Sequence, residues 1–113
     1  MQINAESYGH AVIFNLEGEM NDESLGAFQQ AVEHQLADSE VVDLILNLEA
    51  VSFLDSVALE YLLDLQEQLA ERFGHIRLAR CDENVRKILE VTRLDSSFDI
   101  FDDIPEAIKA YHG

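Results

Sequence analysis

The sequence is poor in positive charge: seven Lys and Arg stand against 23 Asp and Glu, which gives a formal net charge of −16 at pH 7. Nucleic-acid binding depends on clustered Lys and Arg that neutralise phosphates. An anionic lipid surface repels a protein of this charge, and no apolar run approaches the roughly 18 residues of a membrane-spanning helix. We therefore predict no nucleic-acid partner and no membrane insertion.

The motifs of secreted proteins and of common cofactor sites are also missing. Cys81 is the only cysteine, so no internal disulfide forms, and no basic segment followed by an apolar one opens the sequence. The four histidines are scattered, and no Cys-x-x-Cys pair, glycine-rich phosphate loop or G-x-S-x-G sequence occurs. We predict a cytoplasmic protein without catalytic residues, metal or cofactor. A thiol before a helix can be reactive, but we expect Cys81 to be a small buried apolar residue.

Hydrophobic residues make up 48% of the 113 residues, which suits one domain over residues 1–113. Apolar or alternating segments predict strands at residues 2–8, 12–16, 41–48, 75–79 and 98–101. Helical spacing after capping residues or a proline predicts helices at residues 25–36, 56–72, 82–92 and 105–111. The order β-β-α-β-α-β-α-β-α predicts an α/β fold with a mixed four- or five-stranded sheet and four helices.

The longest predicted helix follows Asp55, whose carboxylate is a good N-terminal cap. Its acidic residues fall on one stripe, and its leucines fall on the opposite side. Gly74 is expected to end this helix in the left-handed conformation. Residues 49–54, which precede Asp55, are predicted to form a loop after the buried strand.

Ser56 stands where this loop meets the longest helix. Backbone N–H groups without helical partners and the positive end of the helix dipole favour an anion at such a position, and a phosphate carries about −1.5 to −2 charges. By spacing alone, Asp55 and Ser56 are also explained as an ordinary cap and an ordinary first helical residue. Both readings stay open at this point.

The segment from Asn47 to Leu63 resembles the signature of the STAS family, which includes bacterial anti-sigma factor antagonists. That family has an apolar strand, a short loop and then Asp-Ser-Ser/Thr-Gly-Leu at a helix start, and Asp55, Ser56 and Leu59 match it. Residues 16–21 look like the family's Gly-Glu-Leu-Asp turn, residues 85–94 resemble its third helix, and residues 98–101 resemble its closing strand. Val57 and Ala58 differ from the family pattern.

The resemblance implies a STAS-like fold and a non-enzymatic phosphorylation switch. Family members bind an anti-sigma factor that is also a serine kinase. The kinase phosphorylates the serine that matches Ser56, and the complex then dissociates. A serine phosphatase restores binding. We expect the partner-binding residues to be Met20, Asn21, Asp22, Asp55, Ser56 and Glu60.

Two other functions remain open. Because Val57 and Ala58 depart from the pattern, the chain is alternatively a constitutive STAS adaptor subunit that binds a transporter ATPase without phosphorylation. A small-ligand carrier or enzyme is disfavoured by the missing cofactor motifs. Glu60 is alternatively an ordinary solvated residue, and Met20 either contacts a partner beside Ser56 or is buried at the turn.

Overall fold

The computed structural model describes residues 1–110 and contains a five-stranded sheet with four helices. In chain order the elements are β1 (Gln2–Tyr8), β2 (Ala11–Met20), α1 (Leu25–Leu36), β3 (Asp43–Leu54), α2 (Ser56–Glu71), β4 (Ile76–Ala79), α3 (Glu83–Val91), β5 (Asp99–Phe101) and α4 (Ile104–Lys109). This order and the mixed sheet confirm the sequence prediction. The predicted end of the last helix at Tyr111 lies outside the described residues.

The strands lie side by side in the order of the chain, from β1 to β5. β1 and β2 form an antiparallel hairpin, whereas β2, β3, β4 and β5 are parallel to one another. The parallel strands are joined by helical crossovers, as parallel pairing requires. The start of α2 therefore lies at the end of the sheet where the parallel strands finish.

Both faces of the central strand β3 are covered, as its continuous apolar sequence indicates. Leu44 and Leu46 pack with buried residues of α1, α2 and α3 in the larger core. Ile45 points to the opposite face, where it forms a smaller cluster with Ile13, Ala79 and Ala107 of α4. The sheet therefore has three helices on one face and a short helix on the other.

The predicted loop at residues 49–54 is wrong, because these residues continue β3 as far as Leu54. β2 is longer than predicted too, and it pairs with this extension up to Met20 and Leu54 through two register shifts around Gly18. The shifts break the regular alternation of buried and exposed residues, so the sequence pattern resembles a loop. The extension places the end of β2 beside the start of α2.

The predicted role of Gly74 also needs correction. Phe73, with φ 63°, is the left-handed residue that ends α2, and its N–H donates to the carbonyl of Ala70. Gly74 has a different reason to be glycine, because a Cβ there would overlap the carbonyl of Val42. Phe98 lies just before β5 rather than in it, and its side chain is buried in the larger core.

Within residues 1–110, no helix is long and apolar enough to cross a membrane. Over the same residues, no group of three or more His, Cys, Asp or Glu side chains is close enough to hold a metal ion.

Candidate functional site

Ser56 is the first residue of α2, and its side chain is exposed. Asp55 precedes it in an extended conformation, with φ −90° and ψ 178°, which turns the chain from β3 into the helix. The Oδ1 atom of Asp55 accepts the backbone N–H of Ala58 at 2.8 Å, so the predicted cap is confirmed. The hydroxyl of Ser56 makes no hydrogen bond to the described residues, which leaves it open to solvent.

Asp55 also holds the turn that follows β2. Its Oδ2 atom accepts the backbone N–H of Asp22 at 3.0 Å, and its own backbone N–H donates to the carbonyl of Met20 at 3.1 Å. One carboxylate therefore serves two segments that are 33 residues apart in sequence. The turn after Gly18 and the start of α2 form one continuous surface.

Asn21 organises the other side of this surface. Its Oδ1 atom accepts the N–H groups of Glu23 and Ser24, at 3.0 and 3.1 Å. The hydroxyl of Ser24 in turn donates to the carbonyl of Glu19 at 2.7 Å. Asn21 is half-buried, and its amide oxygen is engaged in the turn that begins α1. Asn21 therefore stabilises the turn beneath the surface around Ser56.

The six predicted site residues differ in exposure. Asp22, Ser56 and Glu60 are exposed, whereas Asn21 and Asp55 are half-buried. Glu60 lies four residues after Ser56, which places both side chains on the same side of α2. The expectation that Met20 binds a partner needs correction, because its side chain is fully buried in the larger core. Because it lies beneath the turn, Met20 is not available as a contact for a partner.

Exposed apolar side chains border the site, and the sequence prediction missed them. Phe53 and Val57, on either side of Ser56, are 43% and 44% exposed. Phe53 also lines a shallow depression with Ile88 and Val91 of α3, and Lys87 stands at its rim. The sequence carries no clear signal for this exposure, because Phe53 and Val57 each have an apolar neighbour, Leu54 and Ala58, and β3 is irregular at this end.

Cys81 lies just before α3 and is half-buried. Burial raises the pKa of its thiol to about 11, and the nearby Arg86 offsets only part of that effect. The nucleophilic thiolate is therefore scarce at neutral pH. This favours the apolar role expected for Cys81 over a reactive one.

The Ser56 surface presents an exposed hydroxyl in acidic surroundings. Asp22, Asp55 and Glu60 supply carboxylates, and the first turn of α2 supplies N–H groups. No base is hydrogen-bonded to Ser56 among the described residues, so its hydroxyl has no partner that would make it a nucleophile. The arrangement suits recognition of a surface by another protein.

The model of the STAS domain family matches residues 2–107 of the chain. A Thermotoga neapolitana protein named as a TM1081 homologue and candidate anti-sigma factor antagonist is 26% identical over 95 residues, which are 84% of each chain.

Solved structures agree with this match. The crystal structure of TM1081 from Thermotoga maritima, described as a candidate anti-sigma factor antagonist, has a TM-score of 0.89 at 23% identity, covering 98% of this chain and 95% of the other. The anti-sigma factor antagonist SpoIIAA in its unphosphorylated form has a TM-score of 0.84 at 22% identity, over 99% and 97%. Bacillus SpoIIAA in its phosphorylated form has a TM-score of 0.75 at 21% identity, over 97% and 99%. At these identities the structures show that the fold is shared.

Proposed function

The chain belongs to the STAS domain family, and on that premise we propose that it is an anti-sigma factor antagonist switched by phosphorylation of Ser56. In its unmodified form it binds an anti-sigma factor that is also a serine kinase. Phosphorylation by that kinase releases the complex, and a serine phosphatase restores binding. The chain acts by binding and not by catalysis.

The observation that carries this proposal is the exposed Ser56 hydroxyl at the start of the longest helix. A kinase needs an accessible hydroxyl, and the exposure of Ser56 supports its being that substrate residue. The relatives named above are described as anti-sigma factor antagonists, which favours this function over a constitutive transporter adaptor.

The effect of a phosphate on docking follows from its charge. A phosphoserine adds about −1.5 to −2 charges at neutral pH, here beside the carboxylates of Asp22, Asp55 and Glu60. A partner shaped for the neutral hydroxyl would have to bury this charge without a counterion, which costs several kcal/mol. Because about 1.4 kcal/mol changes affinity tenfold, one modification is sufficient to release the complex.

The switch requires no refolding. The hydrogen bonds that hold the site run from Asp55 to Asp22 and Ala58, and none of them involves the Ser56 side chain. The N–H groups and the dipole of the first turn of α2 tolerate an anion in the free protein. The phosphorylated form of SpoIIAA, a protein of the same fold, is consistent with a fold that accepts this modification.

The proposed docking surface combines acidic and apolar groups. Asp22, Asp55 and Glu60 provide the charge around Ser56, and the exposed side chains of Phe53 and Val57 provide apolar area. Apolar anchors surrounded by polar groups are the usual composition of a protein–protein contact. The buried Met20 and the engaged Asn21 act beneath this surface by holding its shape.

The proposal is tested by incubating the purified chain with ATP and each anti-sigma factor kinase of the source organism, followed by intact-mass measurement and peptide mapping. We expect one phosphate on the native protein and none on Ser56→Ala. The control is Ser52→Ala, which removes another exposed serine at the end of β3 and should still be phosphorylated. Phosphate at another residue, or stable binding of a transporter ATPase by the unmodified chain alone, would refute the switch.

A further inference from the structure

β1 forms an unusually open edge of the sheet. The strand has seven residues and pairs with β2 along its whole length without a register shift, and no other strand within residues 1–110 lies on its outer side. Natural edge strands are usually protected by lysines, proline, a bulge or short length. β1 has none of these devices, and Glu6 is its only charged residue, whereas the opposite edge strand β5 has three residues.

A row of asparagines crosses the sheet and ends at this edge. Asn47 of β3 donates from its Nδ2 atom to Oδ1 of Asn15 at 2.8 Å, and Asn15 donates to Oδ1 of Asn4 at 3.2 Å. Asn15 also donates to the carboxylate of Glu6 at 3.3 Å. The Nδ2 atom of Asn4 has no acceptor within residues 1–110, so the row ends in an unused donor at the edge.

We propose that β1 pairs with β1 of a second copy of this chain, in antiparallel orientation about a two-fold axis at Ala5. In this register Asn4 lies opposite Glu6 of the partner subunit, and each Asn4 donor meets a carboxylate oxygen. The amide row then continues across the contact. A register centred on Glu6 would instead place two carboxylates opposite each other, which is destabilising.

A second copy is favoured over an unrelated strand because β1 itself carries both the donor, Asn4, and the acceptor, Glu6. A two-fold contact uses the same patch twice, so a donor at Asn4 and an acceptor at Glu6, two residues apart, are each satisfied in the pair. The pairing joins two five-stranded sheets into one of ten strands. A single strand pair is small compared with a stable interface, and each copy carries a charge of −16. The dimer is therefore weak, and it strengthens as salt screens the repulsion.

Disulfide trapping tests the register directly. In a Cys81→Ser background, Ala5→Cys places two thiols opposite each other, where strand Cα atoms are about 4.5–5.5 Å apart, within the range of a disulfide. The matched control is Ser7→Cys, on the same side of the same strand and also exposed. Its two copies would be four residues out of register, roughly 14 Å apart at about 3.4 Å per residue. We expect rapid covalent dimer formation for Ala5→Cys and at least tenfold slower formation for Ser7→Cys.

Sedimentation measurements from micromolar to millimolar protein test the association itself. We expect a concentration-dependent dimer for the native chain. Ala5→Glu should weaken it at least tenfold by placing like charges opposite each other, whereas Gln30→Glu, which adds the same charge on the exposed side of α1, should not. Asn4→Lys, opposite the partner's Glu6, should tighten it.

Three results would overturn the proposal: a native chain that remains monomeric up to millimolar concentration, a dimer whose affinity is unchanged by Ala5→Glu, or equal rates of disulfide-linked dimer formation for the two cysteine variants. The second and third of these would mean that another surface forms the contact. The outcome does not depend on whether Ser56 is phosphorylated.

Discussion

The side chain of Asp55 accepts the backbone N–H of Asp22 at 3.0 Å, and so fastens the start of α2 to the turn after β2. Its other oxygen caps the helix through Ala58. Two chain segments that belong to different crossovers therefore share one anchor. This anchor shapes the surface around Ser56 without using the Ser56 hydroxyl, which remains exposed.

Replacing Asp55 should cost more stability than replacing an ordinary cap. Asp55→Ala removes a cap, worth about 1 kcal/mol, and also a second hydrogen bond, worth about 0.5–1.5 kcal/mol. Asp82→Ala is the control, because Asp82 caps α3 through one bond to Asn84. We expect a loss of about 2 kcal/mol in the first variant and about 1 kcal/mol in the second, measured by urea unfolding. Equal losses would show that the bond to Asp22 adds nothing.

The neighbours Phe73 and Gly74 should respond to substitution in opposite directions. Phe73 is exposed and left-handed, so Phe73→Gly relieves a backbone strain of about 1–2 kcal/mol and loses little packing, against an entropy cost of about 0.5–1 kcal/mol. We expect a gain of about 0.5 kcal/mol in the free energy of unfolding.

Gly74→Ala should instead destabilise by about 1–3 kcal/mol, because the new Cβ meets the carbonyl of Val42 and forces the backbone to move. Thermal or urea unfolding distinguishes the two effects. A Gly74→Ala variant as stable as the native protein would contradict the close approach of these two segments.

Cys81 should react slowly in the folded protein. Its pKa is raised to about 11 by burial, so at pH 8 the thiolate is scarcer than in the unfolded chain. We expect iodoacetamide to modify Cys81 at least tenfold more slowly in buffer than in urea. Because the folded pKa lies above the unfolded value of 9.0, Cys81 contributes stability below pH 9 that is lost between about pH 9 and 11. In Cys81→Ala, the free energy of unfolding should therefore depend less on pH between about 9 and 11. Equal iodoacetamide reaction rates in buffer and in urea would contradict the burial of the thiol.

The order of the nine elements was predictable because each has a local signal. β-branched runs mark the strands, and leucines at helical spacing after Asp55 mark α2. Asp55 as a cap was also predictable, since its bond to Ala58 depends only on residues three apart. The exposure of Ser56 follows from the same local geometry.

What the sequence could not reveal depends on contacts between distant segments. Residues 49–54 are a strand because β2 runs beside them through two register shifts. Met20 is buried in the larger core, and Asp55 reaches Asp22 because β2 and β3 end side by side, at the paired residues Met20 and Leu54. Gly74 has to be glycine because its backbone lies against Val42, which is 32 residues away in sequence. None of these long-range contacts can be recognised from a short stretch of sequence.

The central claim is that negative charge at Ser56 releases the partner, and calorimetric binding to the anti-sigma factor kinase tests it most directly. We predict that Ser56→Ala binds like the native protein, that Ser56→Asp binds at least tenfold more weakly, and that Ser96→Asp, with the same charge on an exposed loop, binds normally. Equal affinity of Ser56→Asp and Ser56→Ala would contradict the account.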